Sequence, residues 1–311
     1  MVPSHSRKPE VFVLPDGTLY HLGVKPGQIH PRILTVGDRE RARLLANAFL
    51  EDAKEHEHSR NFLTFSGTYK GTPVSIVSIG MGTPNMDFLV REVSFLFQDE
   101  GLAFIRLGTC GSFKLDRPVG SLFISDKMYY CYRNYLHFDG NPFAHQGVQQ
   151  PHCPYIIAGP VEGDKELTEK LEANIAKLEL SSVTGSGISA ETFYGCQGRF
   201  LPGFHDDNDK LFKEFSKLEI QSCEMESHQL FHLCKERAKG NSKVVTRAAS
   251  ICVAVAHRVA PDMPSRPDTL SSVSVSRAPD PLLCFFLPIC VNKCMFPEDL
   301  CRSAYGRLVP V

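Results

Sequence analysis

The sequence predicts an α/β domain, and three observations support this prediction. Short runs rich in β-branched residues end in glycine, as expected of buried strands that lead into tight turns. Segments with helical spacing of apolar residues follow several of these runs. The 311 residues are 42% hydrophobic, which is enough to bury the core of one large domain or two modest ones. Alternating strands and helices are typical of α/β domains, which bind ligands where strands end.

The predicted elements follow one another in a regular order. Strands are predicted at 31–38, 74–82, 103–111, 121–127 and 244–258. Helices are predicted after the first two strands, at 164–180 and from residue 225 onwards. In the first helix, Leu44, Leu45 and Phe49 form the expected apolar stripe. No internal repeat is visible, and we assign these elements to one domain, residues 31–258.

The two ends of the chain have a different composition. Residues 1–30 are polar and punctuated by Pro and Gly, and we interpret them as an N-terminal arm. Residues 259–311 begin with a Ser- and Pro-rich stretch and continue with an apolar, Cys-rich one that has no clear period. We interpret this segment as an atypical C-terminal tail of doubtful order.

Composition excludes several classes of function. The formal net charge is -1, which gives no electrostatic footprint for nucleic acid or an anionic membrane. The N-terminus lacks the apolar run of a signal peptide, and the most apolar stretch, near residue 281, is too short to span a bilayer. The 11 cysteines form no CxxC pair, which indicates reduced thiols rather than a disulfide framework. We therefore expect a cytoplasmic protein that binds small molecules, without nucleic-acid or membrane partners.

Three arginines lie near glycines at predicted strand ends. Arg41 follows Gly37, Arg106 precedes Gly108, and Arg60 lies in the segment HSRNF. A guanidinium can hold a phosphate with two parallel hydrogen bonds, and backbone N-H groups of glycines can approach the same anion. The pattern therefore predicts a phosphate site. For each arginine alone, solvation or pairing with a carboxylate is the alternative, and RLGTCGS is neither a P-loop nor a dinucleotide motif.

The segment CEMESH provides two carboxylates for a sugar. One carboxylate can accept hydrogen bonds from both vicinal hydroxyls of a ribose. We expect the segment to begin a helix, on which Glu224 and Glu226 would point about 200° apart and could not serve one partner. One would then face a site while the other braces it. The alternative is that both simply complement a helix N-terminus.

The segment ETFYGCQGR, residues 191–199, has the chemistry to recognise a flat base. Phe193 offers a ring face for stacking, while Gln197 and Arg199 offer planar hydrogen-bonding groups. Together these two polar groups match the carbonyl, N-H, carbonyl edge of a pyrimidine-dione. The alternative is an aromatic turn with two solvated polar residues.

Five motifs, GDRERA, HSRNF, RLGTCGS, ETFYGCQGR and CEMES, occur in this order. Over about residues 20–258 the chain resembles the nucleoside phosphorylases of the uridine phosphorylase type. The resemblance implies a three-layer α/β/α sandwich with a central mixed β-sheet. It also implies a pentosyltransferase that converts uridine and phosphate into uracil and ribose 1-phosphate in pyrimidine salvage. Inorganic phosphate is a co-substrate in that reaction, and no cofactor is expected.

The same resemblance assigns ligand-binding roles to individual residues. Phosphate would be bound by Gly37, Arg41, Arg106 and Thr109, together with Arg60 from a neighbouring subunit. Ribose would be held by Met225 and Glu226, together with His21 from that neighbour. The base would be read by Phe193, Gln197 and Arg199, with Arg258 on the far side; the catalytic residues would be Gln197, Arg199 and Arg106. Shared sites of this kind imply a homodimer or a homohexamer.

Three other functions remain open on sequence alone. A purine nucleoside phosphorylase of the same fold usually has an aspartate after the strand that follows the glutamate motif, whereas this chain has SICVAVAHR and no aspartate before Asp262. A nucleoside hydrolase would not need the arginines. A nucleoside-binding protein without activity would fit the atypical tail. Some relatives bind a cation through a glutamate and a serine, but Asn61 and Asn85 stand at these positions, so no metal is expected.

Overall fold

The computed structural model of the protein describes residues 10–57, 60–138 and 153–258. Within these ranges, ten strands form one mixed sheet with helices packed against it. This arrangement confirms the predicted α/β class with a central mixed β-sheet. The predicted C-terminal tail, 259–311, lies outside the described residues, as do residues 1–9 of the predicted arm.

The elements have the following bounds. The strands are β1 Arg32–Val36, β2 Glu51–Glu57, β3 Leu63–Tyr69, β4 Thr72–Ser78, β5 Leu102–Ser112, β6 Leu122–Arg133, β7 Tyr155–Glu162, β8 Ser182–Ala190, β9 Ser222–Glu224 and β10 Thr246–His257. The helices are α1 Arg39–Phe49, α2 Thr83–Leu96, α3 Tyr135–Phe138, α4 Lys165–Ala176, α5 Leu211–Lys217 and α6 Ser227–Gly240. A short 3-10 turn, Gly195–Gln197, follows β8.

Five strands of the sheet close into a ring. β5 pairs with β10 in parallel, β10 with β6 antiparallel, β6 with β8 and β8 with β9 in parallel, and β9 returns antiparallel to β5. From β5 the sheet continues through β1, β4, β3 and β2, while β7 pairs with β6. The ring brings the short strand β9 beside β5, where Cys223 pairs with Gly111, 112 positions earlier in the chain.

Helices cover the sheet on two sides, which gives the predicted three layers. On one side, α1 and α4 bury apolar residues in the same cluster as β1, β5 and β10. On the other side, α2 and α6 pack together over a second cluster. Asp38 caps α1 by accepting a hydrogen bond from the backbone N of Arg41, and Asp164 caps α4 in the same way through Leu167.

The N-terminal segment belongs to the second cluster. Leu19, Leu22, Val24 and Ile29 are buried there together with residues of α2 and α6. The segment that the sequence separates as an arm therefore contributes to the core from residue 19 onwards. Its polar and Gly-rich composition hides this contribution, because the buried residues have neither helical nor strand spacing.

The prediction that Leu44 belongs to the buried stripe of α1 is wrong. Leu44 is 45% exposed, and α1 instead buries Ala42, Leu45 and Ala46. Small alanines next to Leu45 let the helix lie close to the sheet, so the buried face of α1 is rotated away from Leu44.

Several strands were not predicted from the sequence. β2 is almost entirely exposed and has the polar sequence EDAKEHE, so it lacks the alternation that marks a half-buried strand. It is held by antiparallel pairing with β3. β8 contains two glycines and three serines, which favour turns over strands in isolation. Tertiary pairing decides both strands.

Two further properties were expected from composition. Within the described ranges, no helix is both long and apolar enough to cross a membrane. Each cysteine in the same ranges is a free thiol, and all of these except Cys153 are buried.

Candidate active site

Glycines from three strand ends meet at one edge of the sheet. β1 and β5 are parallel with Thr35 opposite Arg106, so Gly37 and Gly108 lie next to each other beyond them. The backbone N of Gly80, after β4, donates to the carbonyl of Gly37 at 3.0 Å. A Cβ on Gly37 would lie 3.1 Å from the carbonyl oxygen of Gly80, so the two chains approach this closely because residue 37 has no side chain. Gly37 and Gly80 therefore lie side by side after β1 and β4.

Arg106 lies buried beside this edge between two carboxylates. Its side chain is 5% exposed. Its Nε donates to Oε2 of Glu224 at 3.0 Å, and its Nη2 donates to Oε2 of Glu226. Nη1 is buried and has no hydrogen-bond partner among the described residues. One nitrogen of the guanidinium therefore remains available for a ligand.

The prediction that Glu224 and Glu226 cannot serve one partner is wrong. Glu224 is the last residue of β9, and Glu226 is the N-cap of α6, so neither lies within the helix. The angle of 100° per residue does not apply outside a helix, and the bend at residues 225–226 between β9 and α6 brings both side chains to the same arginine. Both carboxylates consequently contact Arg106.

Glu224 and Glu226 have different surroundings. Glu224 accepts hydrogen bonds from Arg106, Ser189, Ser227 and the backbone N of Glu226. Glu226 accepts from Arg106 and from the backbone N of Gly82, the latter at 2.5 Å. Glu226 therefore keeps more of its acceptor capacity for a ligand. Gly82 was missed as a site residue, although its place in the glycine-rich end of β4 is a signal that could have indicated it.

Burial and pairing act in opposite directions on these three groups. Burial alone would lower the pKa of Arg106, but the carboxylates of Glu226 and Glu224 outweigh it and raise the pKa. Burial would raise the pKa of Glu224, but Arg106 and the hydrogen bonds to its carboxylate lower it. For Glu226 burial prevails over the attraction of Arg106, and the pKa is raised.

The other predicted phosphate residues lie at the same edge of the sheet. Arg41 is half-buried in the first turn of α1, where its backbone N is bound by Asp38 at 2.8 Å. Thr109 is exposed in β5, three residues after Arg106. The N-terminus of α1 thus opens beside Gly37, as the sequence predicts.

The predicted base-recognition residues form one connected group. Gln197 is 5% exposed in the 3-10 turn, and its Oε1 accepts from Nη2 of Arg199 at 3.4 Å. The guanidinium of Arg199 lies 4.0 Å from the centroid of the Phe193 ring. A base that stacks on Phe193 has to share the ring with Arg199. Burial lowers the pKa of Arg199.

Arg258 closes this group from the end of β10. Its Nη2 donates to the backbone carbonyl of Gln197, and its Nε is buried without a partner among the described residues. A Cβ on Gly111 would lie 2.5 Å from Cγ of Arg258, so the arginine can cross β5 because residue 111 is glycine. Burial, followed by the charge of Arg199, lowers the pKa of Arg258 to about 10.

His21 and Arg60 lie together in a different place. Arg60 packs on the ring of Tyr20, 4.4 Å from its centroid, while Nδ1 of His21 binds Glu92 at 2.5 Å. Glu92 is ten residues along α2 from Gly82, which contacts Glu226, and this corresponds to about 15 Å of helix. One ribose cannot bridge that distance, so His21 and Glu226 of one chain do not hold the same sugar.

The described residues contain no group of three or more His, Cys, Asp or Glu side chains that could hold a metal ion. Met225 is half-buried between the two glutamates, at the turn where the predicted ribose site lies. Tyr130 and His228 stack at the same turn with ring centroids 5.3 Å apart and were not predicted as neighbours of the site. No motif in the sequence pointed to this pair.

The buried Arg106, the carboxylate of Glu226 and the planar polar groups of Gln197 and Arg199 have the chemistry suited to an anion, a sugar and a base. Residues 31–261 match the model of a family described as the Phosphorylase superfamily. The chain therefore belongs to the phosphorylase superfamily, within its nucleoside phosphorylases.

Two proteins with similar sequences are named purine nucleoside phosphorylases. A DeoD-type purine nucleoside phosphorylase from Clostridium perfringens is 30% identical over 215 residues, which cover 68% of this chain and 79% of that protein. Another DeoD-type purine nucleoside phosphorylase, from Oceanobacillus iheyensis, is 28% identical over 227 residues, or 73% of this chain and 85% of that protein.

Two similar structures are described in terms of uridine phosphorylase. A structure from work on two diverse uridine phosphorylases of the oomycete Phytophthora capsici has a TM-score of 0.74 and 28% identity, covering 92% of this chain and 96% of that one. A Trypanosoma brucei nucleoside phosphorylase, described as showing uridine phosphorylase activity, has a TM-score of 0.68 and covers 91% and 97%. Its identity of 22% supports the fold alone.

The buried ion pairs give a prediction for stability. Arg106→Met would leave two buried carboxylates without their cation and is expected to reduce the free energy of unfolding by about 3 to 5 kcal/mol. The raised pKa of Glu226 means that protonation favours the folded state, and this contribution is lost as pH rises through the raised pKa. Without Arg106, burying the ionised carboxylate of Glu226 costs more free energy. The loss in the free energy of unfolding caused by Arg106→Met should therefore grow from about pH 5 to about pH 8.

Urea denaturation at both pH values measures this effect. Arg91→Met is the matched control, because Arg91 is 65% exposed and forms a surface pair with Asp87. A deficit that is equal at both pH values, or no larger than that of the control, would contradict the prediction.

Proposed function

We propose that the protein is a uridine phosphorylase, which converts uridine and inorganic phosphate into uracil and ribose 1-phosphate. The observation that supports this most directly is the contact between the side chains of Gln197 and Arg199 after β8, next to which Arg258, at the end of β10, donates to the backbone carbonyl of Gln197. A uracil edge offers carbonyl, N-H and carbonyl, and a glutamine amide beside a guanidinium complements it.

The phosphate end of the site supports phosphorolysis over hydrolysis. Arg106 has one buried nitrogen without a hydrogen-bond partner among the described residues, and its guanidinium lies against Gly108. The charge of Arg106 is balanced by Glu224 and Glu226, so its contribution to phosphate binding is the N-H group that Nη1 can donate to a phosphate oxygen. The half-buried Arg41 and the exposed Thr109 lie at the same edge and complete the proposed phosphate site. Phosphate is the co-substrate, and we propose no cofactor.

The residues match the charge that develops in the reaction. The bond between C1' and N1 breaks with its electron pair moving into the uracil ring, while a phosphate oxygen forms the new bond to C1'. The ribosyl group becomes cation-like, as in glycoside cleavage, and Glu226 holds its hydroxyls. Negative charge grows on the uracil carbonyl oxygens, where Gln197 and Arg199 stabilise it. A proton from solvent then yields neutral uracil.

A purine nucleoside phosphorylase is the second candidate. It is favoured by the similar DeoD-type sequences, which are 28% and 30% identical to this chain. Against it, β10, Thr246–His257, contains no Asp or Glu that could donate a proton to a purine nitrogen. The base end of the site therefore favours a pyrimidine.

We further propose a cytoplasmic homodimer or homohexamer with shared active sites, acting in pyrimidine salvage. The buried free thiols suit a reducing compartment. The separation of His21 and Arg60 from Glu226 suits a site completed by a second copy of the chain. In that arrangement His21 reaches the ribose and Arg60 the phosphate of the neighbour.

A substrate panel tests the proposed reaction. Purified protein is expected to release uracil from uridine only when phosphate is present, and to release hypoxanthine from inosine much more slowly. Chromatography of the released bases measures both. Preference for inosine would support the purine candidate, release without phosphate a hydrolase, and binding of uridine without release an inactive binding protein.

Loss of a base contact should affect the chemical step. Arg199→Ala is expected to lower uridine turnover about 100-fold or more, because one donor to a developing oxyanion contributes about 3 kcal/mol. The initial rate of uracil formation measures this. Arg117→Ala, which removes a cation 45% exposed to solvent, is the control. Near-normal turnover by Arg199→Ala would contradict its assignment.

Mixed oligomers test the shared site. Arg106→Ala and the double variant His21→Ala, Arg60→Ala should each be inactive alone. After co-refolding at equal amounts, random pairing of dimers would restore about a quarter of the sites, because only a mixed dimer contains an intact site. Uridine phosphorolysis measures the recovery. If mixed samples that contain the heterodimer show no activity, the proposal that two subunits share each active site is contradicted.

A further inference from the structure

We propose that Glu224, which is outside the predicted set of ligand-binding residues, is the positioning residue that aligns the phosphate end and the ribose end of the site. This proposal rests on the proposed function. Glu224 would touch neither ligand. It would act through Arg106 and through the turn that carries Glu226.

The hydrogen bonds of Glu224 leave it no capacity for a ligand. Its side chain is 2% exposed. Oε2 accepts from Nε of Arg106 at 3.0 Å and from the backbone N of Glu226 and Oγ of Ser227, each at 2.9 Å. Oε1 accepts from Oγ of Ser189 and from the backbone N of Ser227 at 3.0 Å. An ionised carboxylate has about four acceptor positions, and these five protein donors fill them.

Glu226 and Arg106 show the opposite pattern. Two donors, Gly82 N and Arg106 Nη2, reach the carboxylate of Glu226, which leaves acceptor positions for two hydroxyls. Arg106 uses Nε and Nη2 within the protein, while Nη1 has no partner in the described part of the chain. The free groups thus belong to Arg106 and Glu226, and Glu224 fixes the direction of both.

Glu224 also connects these groups to the rigid sheet. It ends β9, which pairs with β5 on one side and β8 on the other. Ser227, bound to Glu224, also contacts Ser250 in β10 through their Oγ atoms at 2.7 Å. Because Glu224 aligns both the phosphate end and the ribose end of the site, its substitution should weaken the binding of phosphate and of nucleoside together, rather than only reduce stability.

Glu224→Gln tests this directly. It preserves shape but removes the charge and turns an N-H2 group toward donors. We expect inorganic phosphate to bind about tenfold more weakly or worse in calorimetry without nucleoside, as for a lost charge-assisted hydrogen bond. The KM for uridine should rise as well. Glu224→Asp, which keeps the charge, should recover part of both losses.

A stability control separates positioning from structural damage. Leu167→Ala in the buried face of α4 should lower the melting temperature without changing phosphate affinity or KM. Wild-type phosphate affinity in Glu224→Gln would overturn the proposal. If that variant does not fold, unchanged phosphate affinity and KM in Glu224→Asp would overturn it. Absence of phosphate binding by the wild-type protein would overturn the proposed function and this proposal with it.

Discussion

The rest of the site depends on one buried ion-pair group, Arg106 with Glu224 and Glu226. A guanidinium that is 5% exposed has lost its hydration and requires charged partners at close range. The two carboxylates provide this charge, and they come from β9 and from the start of α6. Pairing them with Arg106 in β5 holds three elements in one arrangement. The same arrangement leaves a nitrogen of Arg106 and acceptor positions of Glu226 free for ligands.

The site has a common part and a variable part. In the proposed function, the glycine-rich edge and Arg106 bind the phosphate, and Glu226 binds the ribose. The base end is formed separately, by the segment after β8 and the end of β10. This division is consistent with a chain that resembles proteins with purine names in sequence and proteins with uridine names in structure. Base preference depends on few residues, whereas overall similarity reflects the whole domain.

Much of the fold and of the site could be predicted from local patterns. The strands β1 and β4 are followed by glycines, β5 contains them, and β10 was predicted from its β-rich run. The placement of Glu224 and Glu226 was predicted wrongly, because the segment was taken as helix although β9 continues to Glu224. β2 and β8 were missed since their polar or Gly-rich sequences acquire strand structure through pairing with neighbours. Buried Leu19 and Leu22 were hidden for a similar reason.

The sequence by itself determined the α/β class, the family resemblance and the residue types available at each end of the site. Those properties follow from local spacing and from motifs of a few residues. Only the tertiary structure decided that Arg106 contacts Glu224, 118 positions away, and Glu226, 120 positions away. It also decided that Glu92, which binds His21, lies about 15 Å along α2 from Gly82, which contacts Glu226. Contacts of this kind depend on strand pairing across the whole domain, which no local pattern encodes.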